Sequence, residues 1–334
     1  MNNQFNFKSS LASFLREFIG IKQALGINVS HMVATLRDID NFYVKNKIEE
    51  SSVTREIFTT WRKTRINDCK CTIYDKISIW CQLTKFISSH GVVCFIPRMP
   101  PPPKIDFSPY IYTKEQLALI MQKSQELRMF SKNMDCTIFA MPALVRLLRS
   151  TGLRIHEALS IRNEDVHIEE GYILISKTKN GSERIVPLCE SMKIVLRQYI
   201  FYRNRIPVCD IAEPTSFLFV KANGAPCRTI SVYNWFKKIL KECGIPHIGN
   251  RKGPRLHDLR HGMATDVLVQ MAHNGIDLYA AMPILSACLG HKSLAATEHY
   301  VRLTTEMYPE LLMDTSRINS FIYPTHMEGR IYEE

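Results

Sequence analysis

Pro100 to Pro103 are four consecutive prolines inside the stretch PRMPPPPKIDFSP (97–109). Proline has no backbone N–H and a fixed φ, so such a run cannot lie inside a helix or a central strand. It favours an extended polyproline segment, which is a semi-rigid spacer. In a chain of 334 residues, two domains are the natural division. The prolines therefore predict a linker over 97–112. They leave an N-terminal domain at 1–96, a larger domain at 113–310 and a tail at 311–334.

The N-terminal domain reads as four short helices. SSLASFLREFIGIKQALG (9–26) sets Leu11, Phe14, Leu15, Phe18, Ile19 and Ile21 largely on one stripe, with Ser9 or Ser10 as its cap. SHMVATLRDIDNFYVKN (30–46) repeats the pattern with Met32, Val33, Leu36, Ile39, Phe42 and Tyr43. Thr54 opens a third helix, and a fourth runs from about Cys71 to Ser89. The basic WRKTR (61–65) marks one end of this bundle. Its Arg62, Lys63 and Arg65 are candidate DNA contacts, and a solvated helix face explains them equally well.

Beyond the linker, Thr113 caps a helix, and the apolar run CTIFAMPALVRLLRSTG (136–152) stops at Gly152. RIHEALSI restarts a short helix. GYILISKTK and SERIVPL then flank Asn180-Gly181, the strongest short-range hairpin signal. From Glu190 the pattern is mostly helical. The predicted fold is mainly α with a small antiparallel β-sheet.

The formal net charge is +11, and Lys and Arg outnumber Asp and Glu on both sides of the prolines. That balance favours a polyanionic partner, nucleic acid before an anionic membrane. The ten cysteines contain no CxxC pair, only the CxC of Cys69 and Cys71. They read as reduced thiols, with no metal site expected. No window approaches the ~20 apolar residues that cross a bilayer, and MNNQFNFKSS has no signal-type apolar core. The expectation is a soluble, cytoplasmic protein without membrane partners.

Four stretches stand out: TGLRIHEAL (151–159), KNGSERIVPL (179–188), LHDLRHGMAT (256–265) and LGHKSLAATEHY (289–300). In order they supply an arginine, a hairpin lysine, His-x-x-Arg, Gly-His and a tyrosine. HxxR alone or GH alone decides nothing; six positions in order, each in its local context, are specific. From about 113 to 305 the chain resembles the tyrosine recombinase family of phage and transposon integrases. MPILSACLGH before the tyrosine and VRLT after it are similar to transposon-borne members.

The resemblance implies a helical, SAM-like core-binding domain followed by a catalytic domain. It implies Arg154 and Arg260 as the phosphate-binding pair, and His257 and His291 as hydrogen-bond donors or proton carriers. Tyr300 would be the nucleophile that forms a 3′-phosphotyrosyl link. Lys179 would be the general acid for the 5′-oxygen, with Lys177 competing for that part. Physical chemistry points the same way. Attack on a phosphodiester builds negative charge, and without a metal the protein must supply fixed cations; arginine forks match phosphate oxygens. No cofactor or ATP is implied. The expected partner is double-stranded DNA, with two protomers on a site, four in the synapse and the tail docking on a neighbour. Glu157 either orients Arg154 or is merely exposed. His261 reads as a structural neighbour, and His299 as facing away from Tyr300. Two other classes fit less well: a non-catalytic DNA-binding relative, and a type IB topoisomerase that relaxes DNA without exchanging partners.

Overall fold

The structure, a computed structural model, describes residues 5–103, 109–128, 134–176, 183–246 and 253–308. These fall into two compact units that divide between residues 107 and 108.

The first unit contains α1 (Ala12–Ala24), α2 (Ser30–Lys45), α3 (Arg55–Lys63) and α4 (Lys70–Ser89). Their apolar stripes face one another. Leu11, Leu15, Phe18 and Ile19 pack with Val33, Leu36, Ile39, Tyr43, Trp61, Trp80, Leu83 and Ile87. Trp61 and Trp80 meet edge to face with ring centroids 5.3 Å apart. The geometry adds about 0.5–1.5 kcal/mol beyond the area buried. Neither Ser9 nor Ser10 caps α1 with its side chain. The buried carboxylate of Asp40 in α2 accepts the Lys8 and Ser9 amides at 2.9 to 3.1 Å. Ser10 instead donates to the carbonyls of Ile48 and Glu50. Asp40 thus fastens the segment before the helix, and the Ser9 hydroxyl accepts the Leu11 amide at 3.3 Å. The expected spacer also begins attached to this unit, because the Cys81 thiol donates to the Pro97 carbonyl at 3.0 Å.

The second unit opens with α5 (Lys114–Glu126), where Thr113 and Gln116 form a full capping box. A 3-10 turn (Ile138–Ala140) leads into α6 (Met141–Thr151), and Pro142 occupies its first turn. After α7 (Ile155–Ser160) come β1 (Val166–His167), β2 (Tyr172–Ile175) and β3 (Arg184–Pro187). All pair antiparallel in the order β1-β2-β3, with Ile173 opposite Val186 and Ile175 opposite Arg184. The hairpin signal anticipates β2 and β3, and β1 is additional. A two-residue strand has no periodicity to read. The hairpin tip, with Lys177, Lys179 and Asn180-Gly181, lies outside the described residues, as does the tail from residue 309.

Helices α8 (Glu190–Arg203) and α9 (Thr229–Glu242) complete the main core with α5 and α6. A second cluster joins α10 (Asp258–His273), α11 (Leu278–Leu289) and α12 (Ala295–Met307). The first two turns of α10 are buried all round, from Asp258 to Thr265, so that helix shows no one-sided stripe. Among the described residues no helix is long and apolar enough to cross a membrane.

Gly152 fixes how α6 ends. Its φ is +64°, and its amide reaches back to the Leu148 carbonyl at 3.1 Å. A Cβ there would lie 2.6 Å from the Met263 methyl and 3.0 Å from Leu289. Gly152→Ala therefore combines left-handed strain with a collision against α10 and α11. It is expected to cost roughly 2–5 kcal/mol in urea denaturation, from about 1–2 for the conformation and about 1–3 for overpacking. A Gly20→Ala control, where a Cβ meets open space, should not destabilise.

Candidate active site

Three chain turns bring the singled-out residues together. The left-handed Gly152 swings the chain so that Arg154 starts α7. The buried Asp258 side chain takes the Arg255 amide at 2.7 Å and pairs with the Arg255 guanidinium, shaping the turn that holds His257 at the head of α10. Gly290, with φ +65°, ends α11 in a Schellman turn. In it the His291 amide bonds the Ser286 carbonyl, and the Gly290 amide bonds the Ala287 carbonyl.

Three arginines converge on that turn. Arg260 is 2% exposed. It donates to the Gly152 carbonyl at 2.6 Å, the Leu289 carbonyl at 2.8 Å and His291 Nε2 at 2.9 Å. Arg154 donates to Glu157 at 2.9 Å and reaches the Gly290 carbonyl at 3.5 Å. Arg184, which the sequence reading did not single out, donates from Nε to the Cys288 carbonyl at 3.1 Å and pairs with Glu157 at 2.7 Å. Glu157 is buried, which settles its open reading: it holds Arg154. Burial opposes its charge, but hydrogen bonds from Arg184 and Arg154 hold its carboxyl below the ordinary range. Among the described residues Glu157 is the carboxylate bonded to these arginines, so the cluster is net positive.

His291 has one defined tautomer. A guanidinium only donates, so Nε2 must accept from Arg260. Nδ1 then carries the proton and donates to the buried Thr297 Oγ1 at 2.8 Å. Burial, and then Arg260 and Arg154, push the imidazole down to about 4. Burial, and then Arg260, Arg255 and Arg154, bring His257 to about 4, and burial with the neighbouring His257 brings His261 to about 3. Arg260 is lowered to about 10 by burial and by Arg154, and so remains charged at neutral pH.

Tyr300 is 3% exposed on α12. Its ring lies parallel to His291 at 6.1 Å and tilted against His261 at 5.5 Å. Burial raises its pKa, opposed by Arg260 and Arg154. Helix α12 begins after Leu294 without a side-chain cap, and the Ser293 carbonyl accepts the Ala296 amide. His299 is exposed. The structure thus brings Arg154, His257, Arg260, His291 and Tyr300 into one cluster. The candidate Lys179 lies outside the described residues. In the first unit Arg62 and Lys63 are exposed at the end of α3, whereas Arg65 pairs with Asp38 at 2.6 Å and lies over Trp61. Sequence reasoning missed Arg184 and Thr297. Arg184 did leave a signal, being in phase with the inward Val186 on β3.

A mainly helical domain with a small sheet, carrying fixed cations, neutral imidazoles and a buried tyrosine at one turn, defines a catalytic unit of the tyrosine recombinase class. The phage integrase family matches residues 111–307, and the chain belongs to that family, the site-specific tyrosine recombinases. The candidate integrase/recombinase y4rB of Sinorhizobium fredii is 25% identical over 320 residues, covering 92% of this chain and 98% of that protein. The tyrosine recombinase XerA of Pyrococcus furiosus is 28% identical over 179 residues, covering 54% of this chain and 56% of XerA. A lambda integrase tetramer bound to a Holliday junction shares the fold with a TM-score of 0.61 and 16% identity, over 88% of this chain and 78% of that one.

Thr297→Val should leave the His291 N–H without an acceptor and lower stability by about 1–3 kcal/mol in denaturant titration, with Thr297→Ser close to wild type. The imidazoles also set a pH dependence. Their folded pKa values of about 4, 3 and 4 lie below the ordinary 6.5, so the unfolded chain binds more protons as pH falls. The stability they contribute is complete above about pH 6.5 and declines towards pH 4. Melting at pH 5 should fall below melting at pH 7, and His261→Phe should narrow that gap.

Proposed function

We propose that this chain cuts and rejoins double-stranded DNA at specific sites through a 3′-phosphotyrosyl intermediate. The convergence of Arg154, Arg260 and Tyr300 on the turn after α11 is the observation that carries this reading. The Tyr300 oxygen attacks the scissile phosphorus, and the bond from phosphorus to the 5′-oxygen breaks. The phenol is protonated at rest, so its proton must leave during attack. His257 is neutral and offers a lone pair for it, whereas the two ring nitrogens of His291 are taken by Arg260 and Thr297. The 5′-oxygen takes a proton from Lys179. Charge that develops on the phosphoryl oxygens meets the guanidinium groups of Arg154 and Arg260. Each such preorganised donor is worth roughly 3–4 kcal/mol of barrier. The phosphotyrosyl bond keeps the energy of the phosphodiester, so rejoining to a new 5′-hydroxyl needs neither ATP nor a metal.

Residues 1–96 act in this reading as a second DNA-gripping unit, with Arg62 and Lys63 at its surface, joined through 97–112 to the catalytic unit at 113–310. Phosphate contacts supply most of the affinity, so binding weakens steeply with salt. Two protomers occupy inverted arms of a site and four assemble for exchange, an assembly supported by the lambda integrase tetramer on a Holliday junction.

The test is covalent trapping. A duplex selected by the wild-type protein from a randomised pool is nicked beside the cleavage position, so that a cut strand diffuses away. Wild type should accumulate a denaturant-resistant protein–DNA adduct, and Tyr300→Phe should form none while still binding the duplex. An adduct with the Phe variant, or none with wild type, overturns the reading. Relaxation of plasmids without the selected site would instead indicate a topoisomerase.

A further inference from the structure

Arg184 has no assigned part in this chemistry, yet its surroundings are as defined as those of any residue in the site. Its side chain is 10% exposed. Nη2 and Nη1 face the two oxygens of Glu157 at 2.7 and 3.4 Å, and Nε donates to the Cys288 carbonyl at 3.1 Å. The guanidinium also covers Gly290, where a Cβ would lie 2.8 Å from Nη1 and 2.9 Å from Cζ. All three of its guanidinium nitrogens face protein acceptors.

We propose that Arg184 is a positioning residue: it neutralises Glu157, so that Arg154 is held in place by that carboxylate yet keeps its positive charge for the scissile phosphate. This rests on the recombinase reading above and extends it. Glu157 bonds the Arg154 backbone amide at 3.0 Å and the Arg154 guanidinium at 2.9 Å. A buried carboxylate with Arg154 as its one cationic hydrogen-bond partner would form a neutral pair, and the site would lose one of its two phosphate-facing charges. A second guanidinium on the same carboxylate leaves the trio net positive. Charged groups are shielded least where they are buried, and the side chains of Glu157 and Arg184 are only 6% and 10% exposed. Among the described residues, the other titratable groups within electrostatic reach of Glu157 include His257 at the head of α10, Arg260 of α10 and His291 after α11. Both imidazoles are neutral, and Arg260 donates to the Gly152 and Leu289 carbonyls and to His291 rather than to Glu157, so none of them substitutes for Arg184.

The charge account makes a prediction that a purely structural role does not. In Arg184→Met, phosphotyrosyl formation on the nicked duplex, with DNA saturating, should slow on the order of 100-fold, the scale of a displaced catalytic group. Adding Glu157→Gln removes the negative charge that Arg184 was neutralising while keeping an acceptor for Arg154. The double variant should therefore be faster than Arg184→Met alone. Arg184→Lys, which keeps the charge but not the fork, should lie between wild type and Arg184→Met. A double variant as slow as or slower than the single one, or Arg184→Met at wild-type rate, overturns the proposal.

Stabilisation by inorganic phosphate, read as a rise in melting temperature, gives the same ordering without catalysis. Wild type should gain most and Arg184→Met least, with the double variant between them. Equal gains in all three would overturn the proposal. If that ordering holds while wild type forms no adduct, the recombinase reading fails and the charge relation stands.

Discussion

The end of α11 organises this site. A helix leaves its last four carbonyls without intrahelical partners, and they carry the negative end of the helix dipole. Here every one has a defined partner. The Schellman turn gives the Ser286 carbonyl to the His291 amide and the Ala287 carbonyl to the Gly290 amide. The Cys288 carbonyl goes to Arg184 and the Leu289 carbonyl to Arg260, and the following Gly290 carbonyl is approached by Arg154. Three guanidinium groups from β3, α10 and the start of α7 thus meet at one turn. Backbone acceptors and a negative helix end make their crowding tolerable without consuming their charge.

That arrangement is costly in isolation. A buried cation held mainly by neutral carbonyls is poorly compensated. The lowered pKa of Arg260, driven by burial and by Arg154, is the sign of it. A phosphate diester entering the cluster would relieve the repulsion, and a transition state carrying more charge would relieve it further. Complementarity to the transition state rather than to the ground state is what accelerates a reaction. Glu157 sets the balance: it orders Arg154 and Arg184 but is too few to neutralise the whole cluster.

The other groups rest in their low-charge forms. Three histidines sit well below their ordinary pKa, and the Tyr300 phenol sits above its own. The positive cluster alone would favour a phenolate, but burial outweighs it. His291 is fixed between two partners, Arg260 on one nitrogen and Thr297 on the other. Its tautomer is decided by the neighbours and not by the imidazole itself.

The sequence alone determined most of the order of elements and which residues are candidates for the site. Helical stripes, the Thr113 capping box, the Gly152 stop and the Asn-Gly hairpin are local signals, because each depends on bonds within a few residues. The Arg, His-x-x-Arg, Gly-His and Tyr stretches could be read the same way, since each keeps its own local context. Only the tertiary structure decided what those groups experience. The expected serine cap of α1 is absent, and the segment before that helix is instead fastened by Asp40 from 31 to 32 residues away. Glu157 changed from an open choice to a buried hinge of two ion pairs. Arg184, an arginine on a short strand, became part of the site only because β3 packs beside the end of α11. Burial and the pairing of distant charges arise from packing, and no spacing along the chain encodes them directly.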